Sequence, residues 1–549
     1  MARFKAFTGK GFGLAVLLVL VLTVIAGCSG AGDSSSAQSG KQPASEQKTD
    51  ASDTEASGGA AAEETAQPAD GGTFTYARPA AVTSFDLHNE ITANNAFAID
   101  KVFEPLLSFD SEGNIVDWLT ESHNVSEDGL TYTFVLKSGL KFSDGSDVTA
   151  KDAVFSLERH LKVGGPLEIS AKVSSVKAQD DHTLVVKLEE PYTPFLSEMS
   201  NFSNGIIPDD FGGKTEEEFF KKPVGTGPFT VESWDPAGDL TFAKNTNYWQ
   251  EGKPHIDKLV YKLVEDDSQA LNQLKAGEVD AIESLALQNA DELKQGADTG
   301  VLTNGSWVTE QLFFNTLDEH FSDTHVRRAL ALAIDREGLT KALTFGYAQT
   351  ANSLLPTTIP YNANDTIKPL NFNLEEAKKE LAQSKFPDGF SSTLLVASGN
   401  DTRAQEAQII QAAAQSIGIQ LKIESVELAA FRERFFAYDF SAMLNSGQAD
   451  SPEANSIIAF QTDPDGFSKS YWTHYTNDKV TELLHKGQQT ADGEERQTVY
   501  TDLLQILADD VPYIPLYYPD ILKGVSSSAE GLVVLPNGSV RFEDVRIAQ

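Results

Sequence analysis

Cysteine is almost absent from this chain, with one residue, Cys28, in 549. A single cysteine excludes an intramolecular disulfide and a thiolate metal cluster, and it leaves no cysteine nucleophile in the rest of the sequence. Basic residues are also few, because 43 Lys and Arg stand against 80 Asp and Glu, for a formal net charge of −37. Nucleic-acid binding needs a basic surface, so we expect no nucleic-acid partner. The acidic excess indicates a highly charged, solubilising surface.

Catalytic signatures are missing as well. The sequence has no G-x-S-x-G, no H-E-x-x-H and no zinc-type spacing of Cys and His. A near match to a phosphate-binding loop ends at residues 213–215, but Pro208 stands where a glycine is needed. Ser138 and Lys141 form an S-x-x-K without the S-D-N or K-T-G that accompany it in known enzymes. We therefore expect no enzymatic activity, no catalytic residue, no metal site and no cofactor.

Residues 1–27 have the pattern of a secretory signal. Three basic residues among the first ten precede an apolar run, Leu14–Ala26. A helix of that length spans about 20 Å, which is too short for the roughly 30 Å hydrocarbon core of a bilayer. The run ends in I-A-G-C, which resembles a bacterial lipobox. This resemblance implies that the signal peptide is cleaved before Cys28 and that Cys28 is lipidated, which anchors the protein to the membrane outside the cytoplasm.

Residues 28–72 are rich in Ser, Ala, Gly, Glu and Asp. After Cys28 they contain no aromatic residue and no Val, Leu or Ile. Such a segment cannot bury a hydrophobic core, so we predict a disordered acidic tether between the lipidated cysteine and a folded body.

Strand-like alternation begins at residue 73, where the body starts. Residues 130–136 alternate between apolar and polar, and a Ser-Gly turn then leads to residues 140–142, so we predict a hairpin between these two segments. A helix is predicted over 147–159, capped by Thr149, with Asp152 reaching back to the cap. A second hairpin is predicted between 230–234 and 240–242.

The second half of the chain alternates between helix and strand patterns. Residues 323–345 predict a helix that is broken or capped again at Asp335. A strand over 392–397, a helix over 404–417 and a strand over 420–426 follow in order. This order is typical of an α/β layer.

Four segments together resemble the family 5 extracellular solute-binding proteins, the oligopeptide- and dipeptide-binding class. Residues 121–155 contain F-S-D-G-S and T-A-K-D, and residues 223–249 contain P-V-G-T-G-P-F and N-T-N-Y-W. Residues 314–336 contain F-N-T and V-R-R-A-L-A-L-A-I-D-R, and residues 511–518 read V-P-Y-I-P-L-Y-Y. Their order extends the resemblance over nearly the whole body.

The resemblance implies a bilobed α/β fold like that of the periplasmic binding proteins, of type II and of the large class with an accessory domain. The first lobe would combine residues 73–98, 223–310 and 515–549, with the accessory domain at 99–222. The second lobe would be residues 311–514. A ligand would be enclosed between the lobes, which is where binding clefts and hinge closure commonly occur.

The function implied is that of a monomeric binding lipoprotein that captures peptides for an ABC importer, whose permease subunits work with cytoplasmic ATPases. Three alternatives stay open. The same fold can bind a nickel chelate, haem, an oligosaccharide or an opine. The protein can also be a ligand-sensing receptor. A lipid-anchored hydrolase is the third alternative, and the missing catalytic motifs argue against it.

Several motif residues have structural interpretations rather than ligand-binding ones. Gly225 and Gly227 are expected to have positive φ in a turn, and Asp144 with Gly145 is expected to form the F-x-D-G turn. The arginines of the third segment are expected to be solvated or ion-paired helix residues, not ligand contacts. They are Arg327, Arg328 and Arg336.

The candidate ligand site comes from the resemblance. In peptide binders of this family an Asp in the segment matching A-D-S-P-E pairs with the peptide amino group, which nominates Asp450. Gly447 stands where such proteins often carry a Trp, a departure that removes an apolar wall and leaves the pocket shape and the ligand class open. Tyr517 and Tyr518 are candidates to face the cleft. Ala93 and Asn94 lie in a loop, 92–95, whose backbone is expected to bond an extended ligand as a strand does.

Overall fold

The computed structural model describes residues 68–89, 92–164, 169–464 and 473–548. The signal-like segment, Cys28 and the predicted tether up to residue 67 lie outside the described residues. Within the described ranges, no helix combines the length and apolar character needed to cross a bilayer.

The helices of the described residues range from one turn to almost five turns. They are α1 Ala93–Ile99, α2 Ala150–Val163, α3 Phe195–Glu198, α4 Glu216–Lys221, α5 Asp267–Lys275, α6 Ala290–Gln295, α7 Thr324–Ala333, α8 Arg336–Leu343, α9 Leu374–Gln383, α10 Asp401–Ser416, α11 Leu428–Phe436, α12 Ala454–Thr462, α13 Asp478–Gln489 and α14 Glu494–Asp510. Short 3-10 turns lie at Phe202–Asn204, Asp209–Gly213 and Leu287–Asn289.

The strands are mostly short, and one is long. They are β1 Pro68–Ala69, β2 Thr73–Arg78, β3 Leu107–Phe109, β4 Ile115–Asp117, β5 Thr120–Val125, β6 Thr131–Leu136, β7 Val173–Ala178, β8 Thr183–Leu188, β9 Phe229–Trp234, β10 Leu240–Lys244, β11 Lys258–Leu263, β12 Ala281–Ile282, β13 Thr299–Gly305, β14 Val308–Phe314, β15 Ala348–Thr350, β16 Phe390–Ala397, β17 Ile419–Val426, β18 Ala442–Gln448, β19 Tyr513–Ser526, β20 Ala529–Glu530, β21 Val533–Val534, β22 Val540–Arg541 and β23 Arg546–Ala548.

One mixed sheet of 12 strands connects the two lobes. Its order is β17-β16-β18-β14-β19-β12-β2-β11-β10-β9, with β13 and β15 also paired to β19. The 14-residue strand β19 pairs through its first residues with β14 and through its last residues with β13 and β12. The strand therefore runs from the second lobe into the first, and the α/β two-lobe fold expected from the sequence is confirmed.

A separate antiparallel sheet has the order β5-β6-β8-β7, and α2 packs against it. Strand β6 pairs with β5 and β8, whereas residues 140–142 form no strand and make one bridge, Lys141 to Asp147. The predicted hairpin between 130–136 and 140–142 is therefore wrong. Alternation identified β6, but its partners are the preceding strand β5 and the distant strand β8, not the residues that follow it. Phe134 and Val186 belong to the same buried core, which favours this pairing.

The other local predictions hold where a cap or a turn specifies them. Helix α2 has Thr149 as its N-cap, and the Asp152 carboxylate accepts the Thr149 N–H at 2.7 Å. Asp335 ends the α7 segment and caps α8, with its carboxylate accepting the Gly338 N–H at 2.9 Å. The hairpin of β9 and β10 is also present.

The folded body starts earlier than the sequence predicted. Residues Pro68 and Ala69 pair with Ala548 and Ile547, within the segment expected to be a disordered tether. The Gly71 N–H also donates to the His255 carbonyl at 2.7 Å. Backbone pairing needs no apolar side chain, so the composition of this segment gave no sign of it.

The expected lobe boundaries fall inside strands of the shared sheet. The boundary at 310/311 lies within β14, and the one at 514/515 lies within β19. The hydrophobic core of residues between Leu106 and Ile206 is distinct from the cores on either side of the large sheet. The assignment of lobes and accessory domain by residue number stays a prediction.

Candidate functional site

A cleft with about 620 Å³ of open space lies where six separate segments meet. The segments are the residues that follow α1, the β3–β4 region, residues 200–202 after α3, Pro228 before β9, the loop after β18 and the C-terminal β21–β22 hairpin. Six charged side chains line it: Asp100, Lys101, Glu104, Asp450, Arg541 and Glu543. Four are acidic and two are basic, so the cleft favours a ligand that carries positive charge.

The wall formed by residues 101–104 is held by close backbone packing. A Cβ atom at Gly225 would lie 2.0 Å from the Val102 carbonyl oxygen, and one at Gly227 would lie 2.4 Å from that of Lys101. Neither glycine has φ in the left-handed region. The expectation of a positive φ is therefore wrong, and these glycines are needed because two backbone segments touch. At Gly145, by contrast, φ is +89° and the expected turn is present.

Lys101 is bound into this wall. Its ammonium donates to the Ser539 hydroxyl at 3.2 Å and to the Val540 carbonyl, and it lies 2.9 Å from the Asp100 carboxylate. Asp100 in turn accepts the Ser539 hydroxyl. The Lys101 ammonium is therefore already paired with groups of the protein.

Glu104 is the most fully satisfied charge of the cleft. Its carboxylate accepts the Trp118 indole N–H, the Tyr248 hydroxyl and the Trp249 indole N–H, each at 2.9 Å. Burial raises the pKa of the Glu104 carboxyl to about 7, and the three donors oppose that rise. Glu104 therefore fixes two indoles at the wall of the cleft.

Asp450 is different, because its carboxylate has no hydrogen bond or ion pair within the described residues. Only its backbone is held, by the Asn201 amide at 3.4 Å. The side chain keeps accessible surface because it faces the cavity, while protein surrounds it on all other sides. This surrounding raises the pKa of the Asp450 carboxyl to about 6 by desolvation.

Arg541 supplies the second cation of the cleft. Its Nη2 donates to the Ser108 hydroxyl at 2.8 Å and to the Phe109 carbonyl at 2.7 Å. Its guanidinium carbon lies 4.3 Å from the centre of the Trp118 ring, in a cation–π contact. Within the described part of the chain it forms no ion pair with a carboxylate.

The departure at Gly447 does not leave the expected gap. A Cβ atom there would lie 2.5 Å from Gln461 Nε2 and 2.6 Å from Gln311 Nε2. Both glutamines are fully buried, and their amide groups have no partner within the described residues. The expectation that Gly447 simply removes a wall is thus wrong, since two polar amides fill the space that a larger side chain would need.

Tyr517 and Tyr518 are buried and bonded inside the protein. The Tyr517 hydroxyl donates to the Glu406 carboxylate. The Tyr518 hydroxyl lies 2.6 Å from Asn364 Oδ1 and accepts the Ser353 N–H at 3.1 Å. Neither tyrosine lines the cleft that contains Asp450.

Ala93 and Asn94 form the first turn of α1, with Thr92 as its N-cap. The Asn94 carbonyl accepts from Arg78 Nη1 at 3.0 Å. Residues 92–95 thus form a capped helical turn where a loop was expected, and such a turn directs its N–H and C=O groups along the helix axis. The role of Ala93 and Asn94 as ligand contacts stays a prediction. Neither residue lines the cleft that contains Asp450.

Glu104, Trp118 and Arg541 were not found by sequence reasoning. One signal was present, because Tyr248 and Trp249 belong to the N-T-N-Y-W motif that was assigned only to the fold. Their shared bond to Glu104 shows why the motif carries two polar aromatics, since buried indole N–H and tyrosine O–H groups need acceptors. In the described ranges, no group of three or more His, Cys, Asp or Glu is arranged to hold a metal ion.

Comparisons with known proteins identify the family of this chain. A family model described as "Bacterial extracellular solute-binding proteins, family 5 Middle" matches residues 114–469. The glutathione-binding protein GsiB of Escherichia coli O1:K1 / APEC is 27% identical over 460 residues, which cover 80% of this chain and 88% of GsiB.

Solved structures give the same result. The ABC transporter-associated periplasmic binding protein DppA from Helicobacter pylori, in complex with the peptide STSA, has a TM-score of 0.75 and 27% identity, covering 88% of this chain and 99% of that one. NikZ from Campylobacter jejuni, in complex with Ni(L-His), has a TM-score of 0.72 and 23% identity, covering 86% and 97%. With the family model matched over more than half of its length, the chain belongs to family 5 of the bacterial extracellular solute-binding proteins.

Proposed function

We propose that this protein is the binding lipoprotein of an ABC importer and that it captures short peptides, which it delivers to a permease served by cytoplasmic ATPases. The observation that carries the proposal is Asp450, a carboxylate without a partner in the described residues, at the wall of the cleft. We assign it to the amino group of the ligand.

The chemistry of peptides supports this assignment. Side chains differ from one peptide to another, but the terminal ammonium is common to nearly all of them. Enclosure removes water from both charges, so the pair is favourable only when both partners are present. A carboxylate that lacks a partner in the ligand-free cleft meets this requirement.

The similar proteins support the ligand class. One relative is a glutathione-binding protein and one structural neighbour holds the peptide STSA. The likeness to NikZ concerns the fold alone, and no cluster of metal-binding side chains occurs in the described residues. Haem, oligosaccharide and opine ligands, and a receptor role in place of import, are alternatives that the test below separates.

The proposal includes the residue ranges of the lobes given above, a monomeric state and no catalytic activity. Tyr517, Tyr518, Ala93 and Asn94 stay predictions as ligand contacts, and the two tyrosines have less support because both hydroxyls are already bonded.

The direct test is to identify what the purified full chain binds. Native mass spectrometry of the protein as isolated should detect a bound mass in the range of small peptides. Titration with random-sequence dipeptide and tripeptide libraries, glutathione and Ni(L-His) should then give binding to the peptides. Binding to Ni(L-His) or another non-peptide ligand, with none to peptides, would overturn the proposal. Peptide uptake that stays normal in cells lacking the protein would favour the receptor role.

The membrane anchor is tested through Cys28, which closes the lipobox-like I-A-G-C. In Cys28→Ala the protein should be released to the medium or keep an uncleaved signal, and it should incorporate no labelled fatty acid. Stable anchoring needs more than one acyl chain, so loss of the modified residue should abolish anchoring rather than weaken it. A variant that stays processed, labelled and membrane-bound like the wild type would contradict the prediction.

A further inference from the structure

Arg541 is a cation in the cleft for which the described residues provide no carboxylate. Its Nη2 makes both of its hydrogen bonds, to Ser108 and to the Phe109 carbonyl, while Nε and Nη1 make none in the described ranges. Asp450 and Glu543 line the same cavity, yet neither forms an ion pair with Arg541. The guanidinium therefore retains donors for a group that the protein does not supply.

The surroundings hold this guanidinium in a fixed orientation. It lies 4.3 Å from the centre of the Trp118 ring, and Trp118 is itself fixed by its 2.9 Å bond to Glu104. The hydrogen bonds from Nη2 to Ser108 and to the Phe109 carbonyl also fix one edge of the guanidinium plane. A planar guanidinium loses less entropy on binding when it is already oriented in this way.

The other cation of the cleft does not share this property. Lys101 lies 2.9 Å from Asp100 and donates to Ser539 and to Val540. A ligand anion would have to compete with those partners for the ammonium, whereas Arg541 can bind it directly. Carboxylates match the two-pronged donor geometry of arginine better than that of lysine.

We propose that Arg541 binds a carboxylate of the ligand while Asp450 binds its amino group, so that the protein selects peptides with both ends free. This inference rests on the proposed function and narrows its ligand class, because Asp450 and Arg541 line the same cleft.

The test compares peptides that differ only at their ends. Random-sequence dipeptide and tripeptide libraries, each with a free or an amidated C-terminus, are titrated against the full chain and binding is followed by native mass spectrometry. Amidation should weaken tripeptide binding to the wild type about tenfold to a hundredfold, the loss that follows from removing one charged hydrogen-bonded pair.

The variants assign the effect to one residue. Arg541→Gln should bind free and amidated tripeptides equally weakly, and Arg541→Lys should be intermediate because it keeps the charge but loses the planar fork. Arg432→Gln is the matched control, since Arg432 is exposed on α11 and lies outside the cleft. It should behave as the wild type does.

Each contrary outcome has a distinct meaning. If amidated and free tripeptides bind the wild type equally well, the inference about Arg541 is overturned while the proposed function stands. If Arg541→Gln weakens both forms in proportion, Arg541 supports the wall through Trp118 and does not contact a ligand carboxylate, which also overturns the inference. If no peptide in any form binds the wild type, the proposed function itself fails. Should Arg541→Gln not fold, the amidation comparison on the wild-type protein still decides.

Discussion

Two carboxyls that line the cleft, Glu104 and Asp450, differ in their bonding. Glu104 accepts three hydrogen bonds from Trp118, Tyr248 and Trp249, each at 2.9 Å. Asp450 accepts none within the described residues and faces the cavity. Burial raises the pKa of both groups, to about 7 for Glu104 and to about 6 for Asp450.

The difference shows that a raised pKa alone does not identify a ligand-binding group. Glu104 accepts hydrogen bonds from side chains of the protein, so its carboxylate stabilises the wall of the cleft and orients the two indoles. Asp450 is also desolvated, but no hydrogen bond within the described residues opposes the rise of its pKa. A desolvated charge without a partner is costly unless a ligand supplies that partner. Removing the Glu104 carboxylate should therefore lower the stability of the fold, and removing the Asp450 carboxylate should weaken ligand binding.

The largest effect is expected from Asp450→Asn. The variant should bind free tripeptides about a hundredfold to several-thousandfold more weakly, since an unpaired buried ammonium costs roughly 3–5 kcal/mol. Its free energy of unfolding without ligand should not fall by more than about 0.5 kcal/mol, because no bond within the described residues is lost. Calorimetric titration and urea denaturation measure the two quantities.

The matched control for this variant is Asp502→Asn, which removes an exposed carboxylate on α14 outside the cleft. N-acetylated tripeptides extend the test, because acetylation and Asp450→Asn delete the same pair, so their combined loss should be less than the sum. Losses that simply add, or normal binding by Asp450→Asn, would show that Asp450 is an ordinary loop carboxylate.

A smaller effect of the opposite kind is expected from Glu104→Gln. The new amide group has one acceptor oxygen and two N–H donors, so at least one of the three donors at this site loses its acceptor. The free energy of unfolding at pH 8, where the Glu104 carboxyl is ionised, should fall by about 1–3 kcal/mol. Urea denaturation measures it, with Glu121→Gln on the exposed side of β5 as the control. If the free energy of unfolding does not change, Glu104 does not stabilise this wall of the cleft.

The sequence predicted correctly those local structures that depend on residues close together in the chain. The Thr149 and Asp335 caps, the Asp144–Gly145 turn and the β9–β10 hairpin each depend on residues a few positions apart. The order of the four motifs gave the family for the same reason, since it is a pattern in the linear chain.

The rest depends on contacts between distant segments. Glu104 meets Tyr248 and Trp249 across more than 140 residues, and no local pattern indicates that. Arg327 was expected to be solvated or ion-paired, but it is buried and donates to the Asp510 and Val511 carbonyls at the end of α14. Orphan carbonyls at a helix end need donors, and only the tertiary structure shows which donor meets them.

The smallest expected effect is the pH dependence of peptide affinity. In the ligand-free protein burial raises the pKa of Asp450 to about 6, and pairing with an ammonium should lower it in the complex. Affinity should therefore rise with pH through 6 and then level off, and binding at pH 5 should be about tenfold weaker than at pH 7. Calorimetry at pH 5, 6 and 7, in two buffers with different ionisation heats, measures both the affinity and the proton released below pH 6.

Other groups share the cavity, so the control is essential. Glu104, with its pKa of about 7, faces the same cavity as Lys101, Glu543 and Arg541. A pH slope that persists in Asp450→Asn would belong to one of these groups. Loss of the slope in that variant, with the slope intact in Asp502→Asn, would assign it to Asp450. The affinity should fall again above about pH 8, where the peptide amino group loses its proton. A flat profile between pH 5 and 7 in the wild type would mean that Asp450 meets no cation, and the contrast between the two carboxyls would then reflect burial alone.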